Sequence, residues 1–426
     1  MSIPVRLLAR ALPLWLLGCS PTTLGGPPPG GDAGGSSIRP DASLTPRPPP
    51  PPSGCEAGFG SLAGTVHFPN GTLPVAGALV YVTGPGAEPI RSGECGECVD
   101  RGGLLAVALT GPEGRFAFDT LPAGTWSLVV EKGWFSRRTE IVVGACTALT
   151  VPIERTRLPR NTSEGRLPRI AVVGGPFDRM HTVLSRLGLD GGSFTVIDPD
   201  GADGSGGRAL FADAARLMSY DLVFVNCGAE IGDAFGGVSD PRVAANTRTF
   251  LESGGRLYVT DLAYDLLEQT LPSAVDFLAS PETPASSAEH PDVAQAGYPM
   301  EALDARVVDD GLAAWLHAVG ATSGDRMRVE GLLDGWAVVD AVDESRTHVW
   351  VRGDVSWYEA GDLTEEVNAG DQPLTITVDV GCGRALFTSY HTIGHGEGSG
   401  ALTPQELALA YLVLEIGTCI EDPTLI

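Results

Sequence analysis

The sequence RIAVVGG at residues 169–175 decides the fold class of the larger part of this chain. It is an almost unbroken apolar run that ends in a glycine pair, and such a run is typical of a strand buried on both faces of a sheet. Similar strands and intervening helical stretches follow it: strands at 194–197, 221–227 and 255–260, and helices at 177–187, 209–218 and 241–253. This alternation predicts a doubly wound α/β domain with a parallel sheet.

Outward from this core, the chain continues with more strands and a closing helix. The sequence predicts them at 336–339, 348–351, 374–378, 384–391 and, for the helix, 404–416. The α/β domain is therefore expected to span 167–420, with a tail at 421–426. A polar connector, 155–166, precedes it.

Before the connector, the pattern changes to short alternating strands separated by turn residues. They are predicted at 62–66, 78–82, 104–109, 115–118, 126–130 and 139–143. Strands of this length and spacing favour a small all-β sandwich over residues 55–154. The chain is thus predicted to be multidomain and long enough to bury two separate cores.

Four motifs in this β region carry a resemblance: GTV (64–66), PVAGALV (74–80), TGPEGRFAF (110–118) and LPAGTW (121–126). Together they resemble the carboxypeptidase regulatory-like domain, a prealbumin-type sandwich with a carbohydrate-binding-like fold. The resemblance implies an accessory module rather than a peptidase. Trp134 and Phe135 offer aromatic surface for a sugar ring, but adjacent aromatics in a sandwich favour packing.

The α/β region has its own resemblance, carried by YDLVFV (220–225), FLESGGRLYV (250–259) and GRALFTSYH (383–391). It resembles the class I glutamine amidotransferase-like fold, including the trehalose-utilisation type. That family places a cysteine nucleophile on a tight elbow after the strand matching 256–260, where a histidine activates it. Here TDLAY (260–264) supplies no cysteine, and Cys227 ends an earlier strand. Amidotransferase chemistry is therefore expected to be lost, and no catalytic residue is assigned.

Several polar residues are still expected at the carboxyl ends of the parallel strands, where doubly wound folds bind ligands. This candidate pocket comprises Asn226, Cys227, Glu230, Asp261, Tyr264 and His391. The glycine pair at 174–175 lacks the full G-x-G-x-x-G motif of dinucleotide sites, so a tight turn is the favoured interpretation.

No metal or cofactor is predicted from the spacing of the ligand-type residues. His391, His395 and Glu397 lie in a Gly-rich stretch that favours a loop over a metal-binding helix. The acidic stretch DPDGADGSGG (198–207) breaks the register of a calcium loop, and a solvated turn is favoured.

The N-terminus predicts export. Two arginines precede the apolar run 12–17, which is too short to span a bilayer. LLGC (16–19) resembles the bacterial lipobox, so Cys19 is expected to be lipidated after removal of the signal peptide; the alternative is an ordinary cleaved signal with an incidental cysteine. Ser20 favours the outer membrane. The Pro- and Gly-rich segment 20–54 then forms a disordered tether.

The eight cysteines predict disulfides in an exported protein. Cys55 with Cys146 and Cys382 with Cys419 are the expected pairs, because the first pair brackets one domain and the second lies at the edges of late elements. Cys95 and Cys98 form a CxxC, for which a local disulfide is favoured over redox catalysis or a metal site. Cys227 remains as the odd thiol.

A net charge of −25 argues against nucleic acid as a partner. No later apolar stretch is long enough to span a bilayer, so the lipid is expected to be the only membrane attachment. The sequence predicts a surface lipoprotein that binds a glycan or another envelope component. Two alternatives stay open: an enzyme that uses Cys227 or Asp261 with His391, and a structural envelope spacer.

Overall fold

The computed structural model of the chain describes residues 58–85, 104–198, 206–231, 238, 240–278, 294–358, 366–392 and 401–418. These residues belong to one compact unit, Pro46–Ile426. The predicted signal segment, Cys19, the tether and Cys55 lie outside the described residues, as do the CxxC and the tail. Within the described part, no helix is long and apolar enough to cross a membrane.

The predicted β-sandwich is present in the N-terminal part. Its strands are β1 (Phe59–Thr65), β2 (Leu79–Thr83), β3 (Ala106–Leu109), β4 (Arg115–Pro122), β5 (Gly124–Lys132), β6 (Phe135–Val143) and β7 (Ala148–Thr150). They form two sheets with the strand orders β4-β1-β7 and β3-β2-β5-β6. In β4 the alternation of the sequence places Phe116 and Phe118 inside, 5% and 6% exposed, while their neighbours face solvent. The short parallel strand β7 was not predicted.

The parallel sheet is also present, and its strands are β8 (Ile170–Val173), β9 (Phe194–Ile197), β10 (Leu222–Val225), β11 (Arg256–Thr260) and β21 (Gly383–Thr388). These five strands are adjacent, in the order β9-β8-β10-β11-β21. The helices of this half are α2 (Met180–Arg186), α3 (Gly207–Ala212), α4 (Ala214–Leu217) and α5 (Pro241–Glu252), whereas α1 (Ile153–Thr156) precedes the sheet and contacts β1 and β6 of the sandwich. The single helix predicted at 209–218 is wrong in one respect: Asp213 interrupts it, and the Asp213 side chain caps α4 by accepting from Arg216 N–H.

The chain between β11 and β21 extends the same sheet with antiparallel strands, which continue from β21 in the order β20-β19-β14-β16-β15. Its helices are α6 (Tyr264–Thr270) and α7 (Asp310–Ala318), and α8 (Pro404–Glu415) closes the fold. Its strands are β12 (Val275–Phe277), β13 (Gln295–Gly297), β14 (Met300–Val307), β15 (Thr322–Ser323), β16 (Arg326–Leu332), β17 (Trp336–Ala337), β18 (Val339–Val342), β19 (Thr347–Tyr358) and β20 (Glu366–Val380). The sheet is therefore mixed, with a parallel half and an antiparallel half.

Alternate residues of the parallel strands enter two different hydrophobic cores. In β10, Leu222 and Phe224 belong to one cluster while Val223 and Val225 belong to the other. Such a strand must be apolar at every position because both of its faces are covered. This arrangement explains the unbroken apolar runs of the sequence.

The sandwich packs onto one face of the α/β part. The cluster on that face runs continuously from sandwich residues such as Leu62 through α2, α7 and α8. The Trp315 indole on α7 donates a 2.9 Å hydrogen bond to the Pro74 carbonyl, and Lys132 of β5 pairs with Glu415 of α8 at 2.5 Å. The chain does bury two cores, but one lies on each face of the sheet. The boundary between them is therefore the sheet and not the connector.

The connector 155–166 is packed against the sandwich. Thr156 donates a 2.6 Å hydrogen bond to the Thr65 carbonyl, and Arg157 makes two 2.7 Å hydrogen bonds to Glu164. Trp134 is partly buried against the core, with the Arg256 guanidinium 5.2 Å from its ring centroid, and Phe135 is 4% exposed. The packing interpretation of these two aromatics is therefore confirmed.

Candidate functional site

The carboxyl ends of neighbouring parallel strands bring a set of polar residues to one edge of the sheet. Cys227 follows β10, Asp261 follows β11 and His391 follows β21, and these three strands are direct neighbours. Parallel strands of a doubly wound sheet present their carboxyl ends at the same edge, which is where such folds bind ligands. The three residues form the centre of a cluster that is buried throughout, with exposures of 0%, 2% and 5%.

Asp261 occupies the strand-to-helix elbow. It follows β11 directly and opens a 3₁₀ turn, Asp261–Ala263, with a backbone φ of 40°. This left-handed conformation is unusual for a residue other than glycine, although aspartate tolerates it better than most. Its Oδ1 accepts a 2.7 Å hydrogen bond from the Ala337 N–H. The turn after β11 is therefore a strained strand-to-helix elbow, and the residue on it is a carboxylate.

The second carboxylate oxygen of Asp261 faces both remaining members of the cluster. Its Oδ2 lies 2.9 Å from His391 Nε2 and 3.7 Å from Cys227 Sγ. The thiol donates a hydrogen bond to Oδ2 at this distance. His391 Nε2 is at ion-pair distance, yet it has no hydrogen bond of acceptable geometry. Gln405 of α8 donates to the His391 carbonyl at 2.6 Å and so fixes the backbone that carries the imidazole.

Asp178, which follows β8, completes the cluster on its other side. Its Oδ1 accepts from the Arg179 N–H at 2.8 Å, from the Thr392 N–H at 3.1 Å and from the Thr392 hydroxyl. The Asn226 amide donates to the Asp178 carbonyl at 3.2 Å. Two atoms here have no hydrogen-bond partner in the described residues: Asp178 Oδ2 and Asn226 Oδ1.

Burial controls the protonation of the cluster. Burial, reinforced by the negative charge of Asp261, raises the pKa of the Cys227 thiol well above its ordinary value. Burial likewise raises the pKa of Asp178, although the charge of His391 opposes that shift. Burial lowers the pKa of His391, but the neighbouring carboxylates of Asp261 and Asp178 outweigh it, and the net shift is upward. Near neutral pH the thiol is protonated and is a poor nucleophile.

Two residues of the predicted pocket, Glu230 and Tyr264, do not contribute to this cluster. Glu230 is exposed. Tyr264 is 1% exposed and packs its ring against Phe277, with centroids 5.0 Å apart, inside an apolar core. Asn226, Cys227, Asp261 and His391 are brought together, and Tyr264 serves packing at the start of α6.

Other residues singled out in the sequence fall partly outside the described residues. This holds for His395, Glu397, Asp200 and Asp203, so the interpretations of those loops stay predictions. Cys146 and Cys382 are each disulfide-bonded, and the partners predicted for them, Cys55 and Cys419, are not among the described residues. Cys227 is a free, buried cysteine, as expected for the odd thiol.

Sequence reasoning missed Asp178, Thr392 and Gln405. Asp178 follows the first recognised strand of the sheet, so the rule that found Asp261 would also have found it. Thr392 and Gln405 carry no such signal, because a threonine in a loop and a glutamine in the first turn of a helix are ordinary.

Comparisons with known proteins place few limits on function. No protein-family model matches the chain, and no curated protein is similar to it. Among solved structures, a ThuA-like protein from Bacteroides uniformis is similar at 12% identity and a TM-score of 0.35, covering 57% of this chain and 88% of that one. PurLQS from Thermotoga maritima is similar at 13% identity and a TM-score of 0.34, covering 58% of this chain and 97% of that one.

Another solved structure is similar to a smaller share of the chain. A protein from Pseudomonas aeruginosa whose description proposes carbohydrate binding is similar at 17% identity and a TM-score of 0.18, covering 25% of this chain and 92% of that one. With TM-scores this low, the similarity to these structures gives no information on the function of this chain.

Proposed function

We propose that this chain is a lipid-anchored envelope protein that acts by binding, with a carbohydrate or another envelope component as its ligand. Cys19 would carry the lipid, the segment 20–54 would tether the folded part, and the sandwich and the α/β part together would form the binding body. The acidic composition, with a net charge of −25, fits a partner other than nucleic acid or anionic lipid.

The strand order supports an amidotransferase-like interpretation of the α/β part. Numbered along the chain, the order β9-β8-β10-β11-β21 reads 2-1-3-4-5, which is the flavodoxin-like order of doubly wound folds. The cluster lies outside the carboxyl ends of β8, β10, β11 and β21, which include the point where the strand order reverses. Ligands of such folds bind in that region.

The observation that carries the non-catalytic proposal is the residue on the elbow. Asp261 stands where the resembled family has its cysteine nucleophile, and its carboxylate already contacts the Ala337 amide, Cys227 and His391. The nearby Cys227 is a protonated, fully buried thiol rather than an exposed thiolate on a strained turn. These groups suit a stable polar cluster better than acyl transfer.

The test uses the full chain with Cys19→Ala, which removes the lipid and keeps everything else. We expect it to co-sediment with peptidoglycan sacculi or to bind defined glycans on an array, with no hydrolysis of glutamine, simple amides or glycosides. Turnover that disappears in both Cys227→Ser and Asp261→Asn would establish the enzyme alternative instead. Neither binding nor turnover would favour the structural spacer.

Anchoring is tested separately in cells of a bacterium that processes lipoproteins. The chain with its own Cys19 should fractionate with membranes and incorporate labelled fatty acid, whereas Cys19→Ala should move to the soluble fraction. Cys227→Ser is the matched control, because it removes a thiol that cannot be the anchor. Equal pelleting of wild type and Cys19→Ala would contradict an anchor at this residue.

A further inference from the structure

The buried cluster contains three different metal-ligating groups. Cys227, Asp261 and His391 each offer one ligand atom, and these atoms all lie within 4.8 Å of one another. They follow three separate strands and are 34 or more residues apart along the chain. They therefore do not form a local sequence motif. A set of one thiolate sulfur, one carboxylate oxygen and one imidazole nitrogen belongs to the donor types that zinc takes in proteins.

The distances suit a tetrahedral ion. With metal–ligand bonds of about 2.0–2.3 Å, neighbouring donors of a tetrahedral zinc site are separated by about 3.3–3.5 Å. The Cys227 Sγ to Asp261 Oδ2 distance is 3.7 Å and the His391 Nε2 to Asp261 Oδ2 distance is 2.9 Å. These two edges fall on either side of the tetrahedral value, and the third, between Cys227 Sγ and His391 Nε2, is no longer than 4.8 Å, so side-chain rotations can place all three donors around one ion.

A second observation is the surplus of unpaired acceptor atoms around the same point. Asp178 Oδ2 and Asn226 Oδ1 are buried acceptor atoms without a hydrogen-bond partner in the described residues, and His391 Nε2 has the Asp261 carboxylate as its one ion-pair neighbour there. Buried polar atoms in native proteins are nearly always paired, and an unpaired one calls for a missing partner such as an ion or a water molecule. Asp178 also acts electrostatically on both His391 and Cys227, so it belongs to the same environment.

We propose that Cys227, Asp261 and His391 bind one zinc ion through Sγ, a carboxylate oxygen and Nε2, with the fourth position taken by water or by an oxygen atom of a ligand. Binding releases the thiol proton, and the imidazole proton if present, to solvent, because thiolate and neutral imidazole are the ligand forms. Asp178 and Asn226 then accept hydrogen bonds from the water at the fourth position. A thiolate ligand selects zinc over magnesium and calcium, which prefer oxygen.

The experiment measures zinc binding by the full chain carrying Cys95→Ser and Cys98→Ser, so that the CxxC does not contribute ligands. Equilibrium dialysis with elemental analysis should give one zinc per chain, with no competition from excess magnesium. In this background Cys227→Ser and His391→Gln should each weaken zinc binding by at least about tenfold.

Ser389→Ala is the matched control. Ser389 lies at the same sheet edge and donates a 3.1 Å hydrogen bond to the Ala337 carbonyl, but it is not a ligand. This variant should bind zinc as the parent does. Less than half an equivalent of zinc on the folded parent protein would overturn the proposal, as would unchanged affinity in Cys227→Ser.

A cobalt spectrum decides the matter if Cys227→Ser does not fold. Cobalt(II) bound in the parent protein should show tetrahedral d–d bands and a sulfur-to-cobalt charge-transfer band, and both should be lost on chelation. A cobalt complex without the charge-transfer band would show that Cys227 is not a ligand. None of these readouts depends on whether the protein binds a glycan.

Discussion

Asp261 combines a strained backbone with a carboxylate that is fully engaged. Its φ of 40° is sterically unfavourable for most side chains, and Ala337 donates to its Oδ1 at 2.7 Å. The conformation therefore persists because the surrounding contacts hold it. Strain of this kind at a strand end is characteristic of functional sites.

Substitution of Asp261 separates the contribution of the side chain from that of the backbone. Asp261→Ala leaves the Ala337 N–H buried without an acceptor, which should lower the free energy of unfolding by about 1–3 kcal/mol. Asp261→Gly loses the same contacts but relieves the left-handed strain, so it should be more stable than Asp261→Ala by about 1 kcal/mol. Urea unfolding in the presence of a chelator measures both values.

Asp261→Asn is the control for this pair, because asparagine keeps an acceptor oxygen and tolerates a positive φ. It should be the most stable of the three variants. Equal stabilities of Asp261→Ala and Asp261→Gly would contradict a strained elbow.

Glu164 provides a pH-dependent contribution to stability. Its side-chain hydrogen bonds to Arg157 are the largest of the causes that lower the pKa of this carboxyl from 4.5 to about 2. Because the folded pKa lies below the unfolded one, the stabilisation is fully present above about pH 4.5 and is lost as the pH falls towards 2. The difference in free energy of unfolding between wild type and Glu164→Gln should therefore be largest above pH 5 and should shrink steadily below it.

The Arg157→Gln background serves as the control, because Arg157 is the largest cause of the lowered pKa of Glu164. In that background Glu164→Gln should change the free energy of unfolding less, and the difference should depend less on pH. A constant difference for Glu164→Gln between pH 6 and pH 3 would contradict the depressed pKa.

Gly175, the second glycine after β8, is required by the close approach of a neighbouring loop rather than by its own backbone conformation. Gly175 does not adopt a positive φ, so a special turn geometry does not explain it. A Cβ at Gly175 would lie 2.3 Å from the Cys227 carbonyl oxygen and 3.0 Å from that of Asn226. The glycine is needed because the loops after β8 and β10 approach each other closely.

Gly175→Ala should therefore lower the free energy of unfolding by about 1–3 kcal/mol, since the contacted atoms are backbone and cannot rotate away. Gly191→Ala is the control, because no atom lies within 4 Å of a Cβ at Gly191. It should be neutral or slightly stabilising. Chemical denaturation of the two variants side by side gives the comparison, and a neutral Gly175→Ala would show that the two loops are not held together.

The sequence allowed all five strands of the parallel half to be located, although not their ends, and for a physical reason. A strand buried on both faces must be apolar throughout, as in β8 and β10, so its pattern is independent of distant partners. The strands from β12 to β16 carry no such signal. β16, for example, alternates exposed Arg326 and Arg328 with buried Met327 and Val329, a pattern that becomes a strand only when β14 is beside it.

The candidate site was predictable to the same extent as the strands that build it. Cys227, Asp261 and His391 were found because they follow recognisable strands whose carboxyl ends share one edge. The contact from the Ala337 N–H was not predictable, because it depends on how the antiparallel half folds back over the elbow.

The relation between the sandwich and the α/β part was the least predictable feature of the molecule. A polar connector suggested two independent domains, but α2, α7 and α8 present apolar faces that the sandwich covers. Trp315 on α7 is fully buried, with its ring 6.1 Å from that of Phe68. An interface of this kind couples the two parts energetically, so they should unfold together.

Trp315→Ala tests this coupling. The truncation should lower the free energy of unfolding by about 3–5 kcal/mol. Because one transition is expected, hydrogen-exchange protection should fall by the same amount in peptides from β5 of the sandwich and from β10 of the sheet. The measurement is native-state hydrogen exchange followed by mass spectrometry at increasing denaturant concentration.

A matched pair of milder variants separates coupling from simple loss of packing. Trp315→Phe removes the hydrogen bond to the Pro74 carbonyl, which joins the two parts, while Trp126→Phe removes a 2.8 Å bond to the Pro122 carbonyl within the sandwich. Each loss should cost about 0.5–1.5 kcal/mol. If the parts are coupled, both variants lower protection in β5 and in β10 equally. If Trp126→Phe lowers protection in β5 and leaves β10 unchanged, the sandwich opens on its own, and the shared hydrophobic cluster does not bind the two parts into one cooperative unit.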